Sequence, residues 1–421
     1  MIKTKILEDE FIYYEKLKNG LEVYIHPKKE HIDSYCALQI NFGGQDLAYQ
    51  LGNKAYNLPA GTAHFLEHVY FESDNINLSE IFANKNADIN AYTSREVTKY
   101  YFNSQENFTE LLKVFLAHFS KVNITEKTIK KEPNIIKKEI LMDEDNLYNK
   151  VNDDLLKQMY VDNKVWVDLA GTITSVEKIN SEVLNQAIRH FYRPNNMILV
   201  ITGAFDPETI LSIIKASAFN NSEITHKEKP RLIFDNTSSL KHDIIKTDKN
   251  QKVNFAMIGV KIDLALFKLM NTNLKRLAII LFFEYYFSES SDNYQKLEAE
   301  KLINYMYSTN VKITDNYAYF TIGSESNKPK KLINRLKQML LSLESIDNNI
   351  FLAYKRSRIG NFIGYFENVY KINYILSDLL LKRINIYDYL AVITNIKKED
   401  IEITKNAITN KNIFSTIYLN K

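Results

Sequence analysis

His64-Phe65-Leu66-Glu67-His68 places two imidazoles one helical turn apart with a carboxylate beside them. On an α-helix, residues i and i+4 lie on one face, so His64 and His68 can each turn a ring nitrogen toward the same point in space. Glu67 falls about 60° round the helix from His64. From there its carboxylate can reach a water at that point without itself binding a cation, which is where a general base in metal-assisted hydrolysis must stand. A lone histidine on an apolar face is ordinarily a satisfied core residue. Here Ala63, Phe65, Leu66, Val69 and Phe71 supply apolar surroundings to three ionisable groups crowded on one stretch of helix. Burying such groups together is costly unless something pairs them, and a shared metal ion is the simplest partner.

Outward from this helix, Leu58-Pro59-Ala60-Gly61 reads as the turn that precedes it, with Thr62 as the N-cap. Upstream, residues 11–26 read as two strands joined by Lys18-Asn19-Gly20, and Ser34 to Phe42 as a third strand ended by Gly43-Gly44. Downstream, a helix from Leu78 to Lys85 leads into a strand from Asp88 to Thr93. That strand pairs with Val97 to Asn103, since both are rich in Tyr, Thr and β-branched residues. Amphipathic helices follow at 107–120, 126–146 and 151–159, then an apolar strand at 197–202 and a helix opened by Asp206-Pro207-Glu208. Asn, Ser, Thr, Lys and Pro interrupt the pattern from 218 to 240. The chain restarts with a strand at 253–260, helices from Asn271, strands at 305–313 and 318–322, and then helices. Strands followed by helices in each half predict an α+β fold of two similar domains, each a mainly antiparallel sheet with helices packed on one face. The expected division is a metal-binding domain at 1–220, a linker at 221–240 and a second domain of similar fold at 241–421.

A chain of 421 residues exceeds what one hydrophobic core ordinarily holds, and 45% hydrophobic content is enough for two. Lys and Arg number 54 against 51 Asp and Glu, a net charge of +3, so no strong field recruits nucleic acid or an anionic membrane. Neither is expected as a partner, and function must be argued from a site. The single cysteine, Cys36, excludes an internal disulfide framework, suits a reducing compartment, and sits in an alternating apolar run as a small core residue. Met1 to Glu10 mixes acids and lysines without an apolar stretch, unlike a secretory signal. The richest apolar run, Leu277 to Phe283, falls far short of the roughly 20 residues that span a bilayer. A cytoplasmic protein is expected.

A catalytic zinc takes three protein ligands and keeps one position open for water. In Glu132-Pro133-Asn134-Ile135-Ile136-Lys137-Lys138-Glu139 the two glutamates share a helix face, with Ile129, Ile136 and Ile140 near it. Acids within an apolar stripe call for a partner. Taken alone, they read more simply as two solvated side chains in a Lys-rich helix. Pro133 removes a helical hydrogen bond and predicts a helix that begins or kinks there.

Together these stretches resemble the pitrilysin/insulinase family of zinc metallopeptidases, in its half-size bacterial form. Gly61-Thr62-Ala63-His64-Phe65-Leu66-Glu67-His68 is similar to the family's metal-binding helix, in the inverted H-x-x-E-H order. Asn90-Ala91-Tyr92-Thr93, with Thr98-Lys99-Tyr100 after it, is similar to the family's edge-strand motif. Glu132 and Glu139, the later lying 71 residues beyond His68, fall near the spacing of its downstream glutamates, and Asn195 to Asp206 resembles the strand and turn that close its first domain. The resemblance implies that His64, His68 and Glu139 bind Zn2+, and that Glu67 takes a proton from the water on it. It implies that Glu132 orients a ligand histidine by accepting its other N–H. It also implies a peptide substrate added as a β-strand along Asp88 to Thr93, with Asn90 and Ala91 contacting its backbone, inside a chamber enclosed by two chains.

The second half departs from that pattern. Family peptidases carry an Arg and a Tyr seven residues apart there, which hold the substrate and the oxyanion. Ser290 to Tyr305 looks like the corresponding region, with Tyr305 as the substrate-binding tyrosine and Glu298 standing in place of the arginine. An ionised carboxylate cannot donate to an oxyanion. The expectation is therefore a zinc metalloendopeptidase working as a homodimer, or as a heterodimer whose partner chain supplies the missing groups. The alternative is a zinc-containing subunit, noncatalytic or incomplete without a partner of the same fold.

Overall fold

The computed structural model describes residues 1–7, 9–71, 77–120, 124–143, 146–161, 163–221, 228–239, 241–248, 251–381 and 384–420. The fold is α+β, and the chain forms two compact units, each a mainly antiparallel sheet with a helical layer on one face and a further helix against the other. The first unit comprises Met1–Leu141, Val167–Ile233 and Ile363–Tyr387, and the second Met142–Trp166, Phe234–Phe362 and Asp388–Lys421.

The strands of the first unit are β1 (Ile2–Leu7), β2 (Glu10–Lys16), β3 (Glu22–Pro27), β4 (Ser34–Ile40), β5 (Ala48–Leu51), β6 (Lys54–Asn57), β7 (Ala87–Thr93), β8 (Thr98–Ser104), β9 (Met197–Gly203) and β10 (Arg231–Leu232). Seven of them form one sheet in the order β1-β2-β3-β9-β4-β8-β7, and β10-β5-β6 form a small second sheet. Only β3 and β9 run parallel among the described pairs of the large sheet. Every residue of β4 is buried because both faces of that strand are covered. Cys36, Leu38 and Ile40 meet the helical layer, where Phe65, Leu66, Leu111, Phe115, Leu184 and Ile210 pack. Tyr35 and Ala37 meet Val369 of the helix Val369–Leu381 on the reverse face. Asn373 of that helix donates to the Val200 carbonyl of β9 at 2.9 Å, so the helix is held by a polar contact as well as by packing. β7 closes the sheet at one end, which leaves one side of its backbone without a strand among the described residues.

The second unit repeats this plan. Its strands β11 (Asp243–Asp248), β12 (Phe255–Ile262), β13 (Ser308–Ile313), β14 (Ala318–Glu325) and β15 (Ile413–Asn420) lie in the order β11-β15-β12-β14-β13. They match β3-β9-β4-β8-β7 strand for strand, with β11 and β15 parallel and the other pairs antiparallel. Phe283 of the helix Thr272–Phe287 stacks on Phe320 of β14 on one face. On the other face the helix Leu147–Met159 packs Leu155, Leu156 and Met159 against Phe255, Met257 and Tyr418.

Some expectations need correcting. The units are not contiguous halves: Met142–Trp166 belongs with the second sheet and Ile363–Tyr387 with the first. An apolar helix face must be buried, but its periodicity does not say against which sheet. Residues 222–227 and 240 of the expected linker lie outside the described residues. The helix Glu126–Asp143 runs through Pro133 and does not begin there. Thr62 is the first residue of its helix, not the cap, and its hydroxyl donates back to the Pro59 carbonyl at 2.6 Å. β13 begins at Ser308, and a final strand, β15, stands inside the second sheet where helices were expected. Cys36 is a buried free thiol. Among the described residues no helix is long and apolar enough to cross a membrane.

Candidate metal centre

The helix that carries the histidines, Thr62–Phe71, starts directly after Gly61. Gly61 has φ +86°, and a Cβ there would lie 2.4 Å from the Ala170 carbonyl oxygen, so only glycine lets the two backbones approach. Phe65, Leu66 and Val69 sink into the core and fix the helix's rotation about its axis. His64, Glu67 and His68 are consequently left on a half-buried face.

The helix Glu126–Asp143 brings two carboxylates to that face. Glu139 Oε2 stands 3.7 Å from His64 Nε2 and 3.6 Å from His68 Nε2. Both separations exceed ordinary hydrogen-bond lengths. They approach the roughly 3.3–3.4 Å that separates donor atoms sharing one tetrahedral cation at bond lengths of about 2.0–2.1 Å. All three donors lie within 4.8 Å of one another. Glu132, two turns earlier and fully buried, accepts a hydrogen bond from His68 Nδ1 at 3.0 Å. A proton on Nδ1 leaves the lone pair on Nε2, the nitrogen that faces Glu139. Two imidazole nitrogens and one carboxylate oxygen are a donor set that fits zinc with a position to spare.

The two histidines differ in their electrostatics. Burial, reinforced by the neighbouring His68, pushes the His64 pKa down to about 4, so the ring is neutral near pH 7, the form that ligates metals. Burial also lowers that of His68, but the hydrogen bond to Glu132 and then the charges of Glu139 and Glu67 outweigh it and leave the value above the ordinary one. Burial raises the pKa of Glu67, and Glu139 adds to the effect, while His68 and Thr93 hold it back. Thr93 Oγ1 donates to Glu67 Oε2 at 3.0 Å. A carboxylate whose pKa is lifted this way takes a proton more readily near neutral pH.

Asn90 and Ala91 lie on β7, the edge strand whose last residue, Thr93, holds Glu67. Asn90 is exposed and its Oδ1 accepts from the Ala91 N–H at 2.7 Å. Tyr305 belongs to the second unit, in the turn before β13, and is 88% exposed. Glu298 is also in that unit, exposed on the helix Asp292–Ala299. The structure therefore assembles His64, Glu67, His68, Glu132 and Glu139 in one unit with Asn90 and Ala91 on its sheet edge, and Tyr305 in the other unit. Thr93 was not singled out from the sequence as a contact of Glu67. The available signal was strand alternation, which puts Ala91 and Thr93 on one face.

Residues 32–173 match the family model described as Insulinase (Peptidase family M16), and residues 178–357 match that described as Peptidase M16 inactive domain. The uncharacterized zinc protease YmfH of Bacillus subtilis is 29% identical over 402 residues, which cover 93% of this chain and 92% of that protein. Mitochondrial-processing peptidase subunit beta of Saccharomyces cerevisiae is 29% identical over 203 residues, 47% of this chain and 42% of that one. Among solved structures, an M16-like peptidase from Alicyclobacillus acidocaldarius shares the fold with a TM-score of 0.88 at 24% identity, covering 99% of this chain and 100% of that chain.

Proposed function

Because the chain belongs to the insulinase family, peptidase family M16, we propose that it is a zinc-dependent endopeptidase hydrolysing peptides or unfolded polypeptides bound as an added β-strand along β7. The observation that carries this reading is Glu67: a half-buried carboxylate beside the His64, His68 and Glu139 donors, tied by Thr93 to the edge strand itself. A purely structural metal site has no use for such a base. His64, His68 and Glu139 would hold the metal, which when bound supplies Lewis acidity toward a peptide carbonyl and acidifies water. Glu132 keeps the His68 proton on Nδ1, so that Nε2 remains a ligand. Glu67 takes the proton from water at its carboxylate and afterwards returns it to the leaving amine. The backbone of β7 around Asn90 and Ala91 offers hydrogen bonds that read peptide backbone rather than side chains, which suits a broad range of extended substrates. The lone buried thiol fits work in the cytoplasm.

A second reading is favoured by Glu298, the carboxylate found where the family arginine is expected. Here the chain supplies the metal and base while a partner of the same fold supplies the cationic and tyrosine groups, so that the active species is a heterodimer rather than a homodimer. Purified chain alone, offered an unstructured peptide, separates the two: turnover as a homodimer removes the need for a partner. Elemental analysis before and after Glu139→Gln tests the metal. We expect near-stoichiometric zinc in the parent and a clear loss in the variant, and zinc retained at unchanged affinity would exclude Glu139 as a ligand.

A further inference from the structure

The two faces of β7 differ in chemistry. Ile89 and Ala91 pack toward the helical core and Thr93 reaches Glu67. Asn90 and Tyr92 stand across from Tyr101 and Lys99 of β8, and so belong to the reverse face. There the rings of Tyr92 and Tyr101 lie 6.3 Å apart, and Tyr101 stacks on Tyr35 at 5.6 Å. Tyr370, on the reverse-face helix, meets Tyr35 edge-on at 5.3 Å and lies 6.4 Å from Tyr374, in a nearly parallel orientation. Tyr370 and Tyr374 are 53% and 48% exposed, so a face of tyrosine rings runs from the sheet edge to the helix. Beneath it lies Lys99, 1% exposed, its ammonium 5.3–5.8 Å from the ring centres of Tyr35, Tyr101 and Tyr374. Burial lowers its pKa to about 8, with Asp378 pulling the other way, so it remains a cation at neutral pH.

On the reading of β7 as the edge to which a peptide adds, we propose that this tyrosine face is the side-chain subsite for the residues of the added strand that stand opposite Asn90 and Tyr92, and that it selects aromatic side chains over cationic ones. Residues directly opposite across a strand pair share a face, with Cβ atoms about 4.5–5.5 Å apart. A side chain opposite Tyr92 is thus delivered to the Tyr92 ring and toward Tyr374. Aromatic pairs add a specific attraction to the area they bury. Tyrosine faces also attract cations, but here Lys99 already occupies that role, 5.3–5.8 Å from three of the ring centres, with Asp378 as its counter-charge. Side chains on the alternate positions point the other way, toward Thr93 and Glu67, so the preference should recur with a period of two along the substrate.

The test uses fluorescent peptides identical except for one position, which carries Phe, Ala or Lys and is moved along the chain. Binding is measured by anisotropy to the full-length, zinc-supplemented Glu67→Gln protein, which needs no turnover. We expect Phe to bind about tenfold more tightly than Ala at alternate positions, with Lys no tighter than Ala. In the Tyr370→Ala/Tyr374→Ala double variant, whose folding is checked by circular dichroism, the Phe to Ala ratio should fall to about one. A ratio near one in the parent, or a ratio retained in the double variant, overturns the proposal. Selective binding of Phe peptides without cleavage by the unsubstituted chain, either alone or with a co-purifying chain of the same fold, would leave this face standing and remove the peptidase reading, whereas no binding of any peptide in either setting would remove both.

Discussion

Replacing Glu132 by glutamine probes the metal centre from a residue that does not touch the metal. Glu132 is fully buried, and its Oε2 accepts the His68 Nδ1 proton at 3.0 Å. Glutamine keeps the volume but makes that hydrogen bond neutral. Hydrogen bonds to charged partners contribute roughly 1.5–3 kcal/mol and neutral ones roughly 0.5–1.5, so the loss is about 1–1.5 kcal/mol, or roughly tenfold in zinc affinity. The amide nitrogen adds to this, since it would replace an Oε1 that lies 3.9 Å from the Lys131 ammonium. A rise in zinc Kd of about ten- to a hundredfold is therefore expected, measured by competition with a chromophoric chelator on protein whose fold is checked by circular dichroism. The metal-free protein gives an independent readout. The folded pKa of His68 lies above its ordinary value, so the stability this pair contributes is fully present below about pH 6.5 and fades as pH rises through the folded value. The stability gap between parent and variant should narrow over that window. A zinc Kd within twofold of the parent, in a folded variant, would refute the orienting role of Glu132.

Other outcomes follow from the same geometry. Gly61→Ala forces a Cβ to 2.4 Å from the Ala170 carbonyl oxygen at a positive φ, so it should cost about 2–4 kcal/mol by denaturant titration and weaken zinc binding by shifting the histidine helix. Thr93→Val removes the hydrogen bond to Glu67, and kcat should fall about tenfold with zinc content unchanged by elemental analysis. Lys99→Met should stabilise the protein by about 1–3 kcal/mol at pH 7, because burial holds the lysine pKa near 8. Since the unfolded state binds more protons between about pH 8 and 10.5, the parent gains stability across that range, and the advantage of Lys99→Met in paired urea titrations should shrink there.

Much of the site was legible because its parts are local. An i, i+4 histidine pair shares a face without tertiary information, and so do two acids seven apart, although in their Lys-rich helix those acids on their own read more simply as solvated side chains. What brings the two helices together, and which sheet each covers, was not legible. Leu147–Met159 and Val369–Leu381 are amphipathic or apolar helices like their neighbours, yet each packs on the unit formed mostly by the other half of the chain. β15 was missed although Ile413-Phe414-Ser415-Thr416-Ile417-Tyr418 is rich in β-branched and aromatic residues. It is buried on both faces, so its alternation is obscured, and it follows a run of short helices. β1, the β5–β6 hairpin and β11 are short or largely exposed strands that carry little apolar signal. Thr62 looked like a cap because threonine favours that position, but Gly61 takes the positive φ that the entry to the helix requires. The tyrosine face could not be read from spacing, since Tyr35, Tyr92, Tyr101 and Tyr370 come from four separate elements.

The central claim is that one half-buried carboxylate, Glu67, turns a metal site into a hydrolase. Its most direct test is to measure zinc content and cleavage of an unstructured peptide on the same samples of the parent and of Glu67→Gln, each alone and with any chain of the same fold that co-purifies. About one zinc per chain is expected in both, with cleavage reduced by a factor of at least about a thousand in the variant. Equal cleavage by the two proteins, or a parent that cleaves with no zinc bound, would contradict it.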